Sequence, residues 1–248
     1  MIKHAMTKLG LVFALALGVA APAIAEEGEG LMKANTKVGN IASVQRGAKL
    51  YFNYCVGCHS LKYMMYSRIG DDLGLTEDQI LNNLAVPGAR VGDYVKSSMP
   101  GDSARGWFGK APPDLSLEAR AKGPDWVYSY LKSFYVDPSR PVGWNNSVFP
   151  GASMPNVLWE LQGVQHAEMA VLKPGEEAHI EKLVLAQPGT QSGEAFDETA
   201  RDITTFLQYV AEPAALKREK LGVWVVLYLA FFTLIAYALK TEYWKDVH

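Results

Sequence analysis

The feature that most constrains this chain is the stretch Cys55-Val56-Gly57-Cys58-His59, which contains the only two cysteines in 248 residues. This spacing is the signature of covalent haem attachment. Two thioether bonds must reach two vinyl groups on one porphyrin edge, while the next imidazole turns under the ring to meet the iron. Gly57 leaves room beside the macrocycle. The motif predicts one haem c, attached through Cys55 and Cys58, with His59 as an axial ligand of the iron.

Three other uses of a cysteine pair compete with haem. A zinc site would need a second pair of ligands, and the chain has no other cysteine. A thioredoxin-like dithiol would follow a strand in a βαβ unit, whereas the apolar spacing before Cys55 predicts a helix. A disulfide across two intervening residues would close too small a loop to stabilise the protein much. The sequence therefore favours haem.

A second strong feature is the uncharged run Leu221–Leu239 near the end of the chain. As an α-helix it would reach about 28 Å, which is long enough to span a bilayer. Aromatic residues lie towards both of its ends and basic residues flank it, as interfacial anchors do. We expect one transmembrane helix over 221–239, with a linker at 214–220 before it and a tail at 240–248 after it.

The first 25 residues have the pattern of a removed secretory signal peptide. Lys3 and Lys8 begin it, an apolar run follows, and Ala23-Ile24-Ala25 has the small-x-small form of a cleavage site. The apolar run is shorter than the roughly 20 residues that span a bilayer, which disfavours an uncleaved anchor. Because the signal exports the body and the later run stops transfer, we expect residues 26–213 in the periplasm. The anchor would then lie in the inner (cell) membrane, with the C-terminus in the cytoplasm.

Composition and charge narrow the possible classes of protein further. The chain is 49% hydrophobic, so its exported body can bury a core. The formal net charge of −2 becomes −4 once the signal peptide, which has two lysines and no acid, is removed. A nucleic-acid partner would want a basic face, so the charge argues against one.

The exported body is predicted to be mostly helical. Apolar residues at helical spacing predict four helices, over Ala42–Tyr54, Thr76–Leu84, Asp125–Phe134 and Asp197–Ala211. A small β-hairpin is predicted from Ala167–Leu172 and His179–Leu185, which flank a turn at Lys173–Glu176. Acids in and near the first turn of the last helix, Asp202 among them, suit its dipole. Much of the remainder is rich in proline and glycine and is interpreted as ordered loop.

Several residues of the exported body are candidates for the second axial ligand of the iron. A methionine thioether would raise the potential by favouring ferrous iron. The candidates in the exported body are its methionines and internal histidines: Met32, Met64, Met65, Met99, Met154, Met169, His166 and His179. Met64 and Met65 lie too near His59 in sequence to cross easily to the opposite haem face. Met99 and Met154 both sit in loops with proline, and the residues alone do not choose between them.

A set of motifs in a fixed order extends beyond the cysteine pair. It comprises Arg46–Leu61, Ala111–Ser116, Asp125–Tyr135 and Phe149-Pro150-Gly151 ahead of Met154, together with the C-terminal anchor. In this order the motifs resemble cytochrome c1, the haem subunit of the cytochrome bc1 complex, over nearly the whole mature chain. The resemblance implies a mostly helical domain similar to a class I cytochrome c with long loop insertions, and Met154 as the sixth ligand.

The resemblance also implies further haem contacts. Arg120 matches an arginine that pairs with a haem propionate, and Pro113 falls among the haem-binding residues. The chain departs from the mitochondrial pattern at Trp107-Phe108-Gly109-Lys110, where those proteins have an Asn-rich stretch, and at Pro155-Asn156, where they usually have Ala-Pro. Haem contacts from the first of these stretches are therefore not carried over. The shorter body and the export signal resemble a bacterial member.

The implied role is electron transfer within a complex that oxidises ubiquinol. The subunit would accept an electron from a Rieske iron–sulfur protein and pass it to a c-type cytochrome, beside a cytochrome b subunit in a dimeric complex. It would carry electrons rather than catalyse a reaction on its own. Acids near the haem edge could attract a basic acceptor. The candidates for this acidic patch are Glu176, Glu177, Glu181, Glu194, Asp197 and Glu198.

Two other functions stay open from the residues alone. One is another anchored c-type carrier, such as a subunit of a terminal oxidase or a free membrane shuttle. The other is a haem enzyme or gas sensor with an open sixth position, which carbon monoxide binding would reveal.

Overall fold

The computed structural model describes residues 30–170 and 179–245 of the chain. The chain divides into two units, Met1–Leu31 and Met32–His248, and every element below belongs to the second. The predicted signal peptide lies outside the described residues. Within them the helices are α1 (Ile41–Tyr54), α2 (Tyr66–Leu73), α3 (Glu77–Asn83), α4 (Gly101–Phe108), α5 (Glu118–Ala121), α6 (Pro124–Lys132), α7 (Trp159–Gln162), α8 (Gly193–Ala211) and α9 (Ala215–Tyr243). The strands are β1 (Leu61–Met65), β2 (Tyr94–Val95), β3 (Phe134–Val136), β4 (Trp144–Asn146), β5 (Gly163–Met169) and β6 (Ile180–Pro188).

About half of the described residues are helical, and the strands form three small antiparallel pairs, β1 with β2, β3 with β4 and β5 with β6. The prediction of a small hairpin is confirmed, and helices are the larger part of the regular structure although they cover only about half of the described residues. The hairpin is longer than predicted on both strands, and its predicted turn lies outside the described residues.

The centre of the body is the crossing of α1 and α8, which are far apart in sequence. A Cβ added at Gly47 would lie 2.0 Å from the carbonyl oxygen of Asp202 and 2.8 Å from Cβ of Phe206, so only glycine lets the two helices approach this closely. One turn further on, the Tyr51 and Phe206 rings lie 5.5 Å apart in the buried core. The crossing fixes the C-terminal end of α1, and that end leads directly into Cys55.

An ion pair between the exposed Arg46 and the buried Asp202 reinforces the crossing. The Asp202 carboxylate accepts hydrogen bonds from Arg46 Nε at 2.5 Å and from Ser43 Oγ at 2.5 Å, both from α1. The hydrogen bond to Asp202 is also the largest cause that raises the pKa of Arg46. The sequence placed Asp202 near the first turn of its helix. The structure corrects this, because α8 begins at Gly193 with Ser192 as its N-cap, which leaves Asp202 in mid-helix and buried.

The other helix predictions vary in accuracy. The predictions for α1 and α3 are confirmed to within one residue at each end. The predicted helix over Asp125–Phe134 ends at Lys132, and Phe134 begins strand β3 instead. Helices α2 and α4 were not predicted; they lie in stretches interpreted as loop, since each has only eight residues.

Helix α9 contains the apolar run. It begins at Ala215, so it is already helical through most of the segment predicted as a linker. Its stretch Leu221–Tyr243 has a mean hydropathy of 2.2 and is the one described helix long and apolar enough to cross a membrane. Near its start, Lys217 Nζ lies 3.9 Å from the buried carboxylate of Asp72. This contact ties the base of the apolar helix to the body.

Candidate functional site

The cysteine motif is a tight turn that continues α1. The Tyr51 carbonyl accepts hydrogen bonds from the N–H groups of Cys55, at 2.8 Å, and Val56, at 3.0 Å. The Cys55 carbonyl then accepts from Cys58, at 3.0 Å, and His59, at 2.9 Å. The spacing of the two sulfurs and the imidazole is therefore set by local backbone hydrogen bonds and by the position of α1.

The imidazole of His59 is buried and held in one orientation. Its exposed fraction is 8%, and Nδ1 lies 2.7 Å from the Pro113 carbonyl oxygen. A carbonyl can only accept, so Nδ1 carries the proton and Nε2 is left for a metal, the arrangement that orients ligand histidines in metalloproteins. Burial is the largest influence on the pKa of His59 and lowers it, which favours the neutral ring that a metal binds. The Tyr51 hydroxyl adds a hydrogen bond to the His59 carbonyl at 2.5 Å.

The two cysteines form no disulfide; Cys55 is buried and Cys58 is partly exposed. Burial raises the pKa of Cys55 to about 12, so it is a neutral thiol rather than a reactive thiolate. A Cβ added at Gly57 would meet nothing within 4 Å, which matches the expected space beside the motif. Within the described ranges no three His, Cys, Asp or Glu side chains cluster as a metal site of their own would require.

Met154 lies beside an aromatic cluster formed by Trp126, Tyr130 and Phe149. The Tyr130 hydroxyl donates a hydrogen bond to Met154 Sδ at 3.6 Å. Tyr130 stacks on Trp126 at 5.0 Å, and Trp126 meets Phe149 edge to face at 6.3 Å. Burial raises the pKa of Tyr130 to about 12, so its hydroxyl stays protonated and can donate a hydrogen bond. The cluster therefore gives the Met154 thioether a defined position.

Side-chain amides hold the loop that leads to Met154. Asn146 is fully buried; its amide donates to the Tyr130 carbonyl at 2.8 Å, and its oxygen accepts from the N–H groups of Val148 and Phe149. Asn145 accepts from the Gly151 N–H at 2.8 Å. The backbone before Met154 is thus fastened to helix α6 and strand β4.

The segment after Met154 is fastened in the same way. Asn156 is 3% exposed and accepts from the Leu158 N–H at 3.0 Å, while its amide donates to Gln162 at 3.1 Å. These asparagines were missed as site residues. An asparagine-rich loop was the only available signal, and it does not show which atoms the amides contact.

The remaining predicted site residues have different surroundings. The Pro113 contact to His59 is made by its backbone carbonyl, while its side chain is exposed. Arg120 lies exposed on α5, and its guanidinium pairs with no carboxylate in the described part of the chain. Two residues later, Lys122 Nζ lies 4.9 Å from the centroid of the Trp126 ring. Lys122 is therefore a cation beside the aromatic cluster, which the sequence did not single out.

The other candidates for the sixth ligand are placed elsewhere. Met99 is half-buried in the segment before α4, and no described ring contact or hydrogen bond joins it to the aromatic cluster. His166 is exposed on strand β5, and His179 is exposed just before strand β6. The structure does not bring these three side chains to Met154.

Two thiols on one turn and a buried neutral imidazole oriented by a carbonyl form the donor set that covalent haem attachment needs. Together with the apolar helix α9, it defines a c-type cytochrome with one candidate membrane anchor. The model of the cytochrome C1 family matches residues 33–247. The chain belongs to the cytochrome c1 family, and it is accordingly a haem c protein of electron transport.

Individual relatives agree with the family match. The chain is 48% identical to cytochrome c1 of Allochromatium vinosum over 244 residues, which cover 98% of this chain and 100% of that protein. It is 43% identical to the ammonia monooxygenase gamma subunit of Nitrosomonas europaea over 206 residues, 83% of this chain and 84% of that one. The mitochondrial cytochrome c1 haem protein of Saccharomyces cerevisiae is 28% identical over 232 residues, 83% of this chain and 67% of that one.

Proposed function

We propose that this chain is the electron-transfer subunit of a cytochrome bc1 complex, which takes single electrons from a Rieske iron–sulfur protein and passes them to a c-type cytochrome. The observation that supports it most directly is the buried His59 imidazole, whose free Nε2 is fixed by the Pro113 carbonyl. The names of the relatives, cytochrome c1 and cytochrome b/c1, support membership of that complex.

Each residue of the site has one task in this proposal. Cys55 and Cys58 would attach the haem, and His59 and Met154 would ligate its iron. The haem supplies an iron that alternates between the ferric and ferrous states. Tyr130 donates a hydrogen bond to the Met154 thioether, which would reduce the electron density that the sulfur offers to the iron.

Two cationic side chains, Arg120 and Lys122, suit the haem propionates. Arg120 has no carboxylate partner within the described residues, so its guanidinium is available for an anion. Lys122 lies over Trp126 and offers a positive charge two residues further along the chain. Arg120 is the propionate partner in the proposal, with Lys122 as its neighbour.

The apolar segments near the two ends of the chain support a proposal for its cellular location. Residues 1–25 act as a removed signal peptide, and 26–213 form a periplasmic domain with the class I cytochrome c fold. The apolar helix anchors this domain in the inner membrane, and the tail at 240–248 lies in the cytoplasm. Cytochrome b and the Rieske protein are the partners in the membrane, in a dimeric complex. Purification in mild detergent should recover both with this chain.

Two rival functions make different predictions. An anchored carrier of a terminal oxidase, or a free shuttle, would purify without the iron–sulfur protein. A gas sensor or haem enzyme would need an open sixth position, whereas Met154 is held in place by Tyr130 and by loop asparagines on both sides. Carbon monoxide binding to the reduced protein separates this reading from an electron carrier with two firm axial ligands.

The ligand assignment is tested by Met154→Leu. Covalent haem should be retained, because Cys55, Cys58 and His59 are unchanged, but the potential should fall substantially once the thioether that favours ferrous iron is lost. Leucine is close to methionine in volume, so the packing cost should stay below about 1.5 kcal/mol. A redox titration and the absorption band of Met-to-iron charge transfer measure the effect.

Met99→Leu is the matched control, since it removes the same side chain from the other proline-bearing loop. It should leave both the potential and the charge-transfer band unchanged. If Met99→Leu abolished the band and Met154→Leu left it intact, the assignment of Met154 would be wrong.

A further inference from the structure

The acids expected to attract a basic acceptor are mostly engaged elsewhere. Asp197 forms an ion pair with Lys132, and Glu198 pairs with Arg46 at 3.1 Å. Glu194 lies in the first turn of α8, where it suits the helix dipole. Glu181 lies on strand β6 of the hairpin, and Glu176 and Glu177 fall outside the described residues. No described contact links these four described acids to Met154 or to the aromatic cluster.

A surface that is aromatic and positively charged, rather than acidic, lies at the end of α4. Trp107 is 64% exposed and meets Phe108 edge to face at 6.5 Å. Lys110 follows two residues later, is exposed, and has no carboxylate partner among the described residues. The acid of this helix, Asp102, is already paired with Arg105. We call Trp107, Phe108 and Lys110 the α4 patch; it combines a large exposed aromatic with an uncompensated positive charge.

The α4 patch is connected to the candidate ligand by a chain of ring contacts. Lys110 Nζ lies 5.7 Å from the centroid of Phe149. Phe149 meets Trp126, Trp126 stacks on Tyr130, and Tyr130 donates to Met154 Sδ. The patch therefore lies at the outer end of the cluster that positions Met154. A partner bound to the α4 patch would therefore lie close to Met154, the proposed sixth ligand.

We propose that the α4 patch is the docking surface for the electron acceptor, and that this acceptor is a soluble redox protein with an apolar centre and a carboxylate rim. Tryptophan is one of the residue types enriched among the contacts that dominate interface energies. Lys110 beside Trp107 disfavours a lysine-rich partner, because like charges at an interface repel each other. The same positive charge attracts an anionic partner and steers its approach. The inference rests on the proposed function, and it reverses the charge expected for the acceptor.

The test uses the intact complex in detergent, with this chain at full length. Two probes differ only in surface charge: a lysine-rich soluble cytochrome c, and the same cytochrome with its lysines succinylated. The electron-transfer rate to each is followed by stopped flow as a function of ionic strength. We expect the succinylated probe to react faster at low salt and to slow as salt rises, since screening sets in within about 10 Å at 0.1 M.

Three variants locate the surface. Lys110→Met should slow the succinylated probe by about two- to threefold at low salt, the effect of one charge at close range in water. Trp107→Ala should raise the half-saturating concentration of that probe by roughly fivefold or more at any salt. Lys49→Met, which removes an exposed lysine of α1 that makes no described ion pair, should change neither.

The outcomes separate docking from the proposed function. If the lysine-rich probe were the faster one at low salt and ignored both α4 variants, the acceptor would dock on an acidic surface and the α4 patch would be excluded. The covalent haem and its potential, measured on the same samples, report the function independently. If the protein lacked covalent haem, or accepted no electron from a reduced Rieske protein, the proposed function itself would fail.

Discussion

Replacement of Gly47 by alanine tests whether the α1–α8 crossing sets the position of the haem motif. The added Cβ would lie 2.0 Å from the Asp202 carbonyl oxygen and 2.8 Å from Cβ of Phe206. Both contacts belong to the backbone or to the first side-chain atom, so no rotamer change relieves them and the helices must move apart. Overpacking of a core costs about 1–3 kcal/mol, and rigid neighbours place this case near the upper end. Alanine returns up to about 1 kcal/mol in helix propensity, which leaves a net loss of about 2 kcal/mol.

For a domain of this size, that loss should lower the Tm by roughly 4–8 °C. The measurement is thermal unfolding of the full-length protein in detergent, followed by circular dichroism and by the haem absorption. Gly193→Ala is the matched control, because it places the same methyl group at the start of α8, where nothing lies within 4 Å. If Gly47→Ala melted at the temperature of the control, the close approach of the two helices would not exist and the account of how Cys55 is positioned would fail.

Two further changes test the Met154 side of the site and the domain boundary. Tyr130→Phe should keep Met154 bound to iron and should lower the potential by less than Met154→Leu does, because the thioether loses only a hydrogen bond. A redox titration measures the change. Tyr128→Phe is the control and should have no effect on the potential, because the Tyr128 hydroxyl contacts Lys132 instead. Termination of the chain after Pro213 should release a soluble domain that carries haem, since α1, α8 and every ligand candidate precede that point. Membrane partitioning measures the solubility of the truncated protein, and a haem stain measures its haem content. Retention in the membrane would contradict the domain boundary.

The sequence predicts best where a long amphipathic helix packs on a buried face. Helix α1 was located to within one residue because its apolar positions recur at helical spacing and pack against α8. Helix α2 was missed because its eight residues offer only two turns of that pattern, and the pair Asp71-Asp72 interrupts it. Asp72 pairs with Arg68 one turn away, but it is also held by Tyr209, which lies 137 residues further along the chain and which no local pattern reports.

The candidate site divides along the same line. The haem motif is a local pattern, so Cys55, Cys58 and His59 could be proposed from five consecutive residues. The contact that orients His59 is a backbone carbonyl of Pro113, and no residue pattern reports the position of a carbonyl. The residues alone did not choose between Met99 and Met154, because the path of each loop is set by side-chain amides such as that of Asn146, which have no periodicity.

The two sides of the site are held by interactions of different strength. His59 is fixed by backbone hydrogen bonds within its own turn and by the buried Tyr51, which belongs to the α1–α8 core. Met154 is half-buried and is held by a tyrosine hydroxyl and by the asparagines of a loop. Regions with less burial open at a lower free energy than the core. No described hydrogen bond of the haem motif passes through the Met154 loop, so that loop can open while the thioether attachments and the His59 orientation persist. If Met154 is the sixth ligand, as proposed, its loss and the loss of the cofactor would be separate events, and a change in potential on substitution of Met154 would report ligation rather than unfolding.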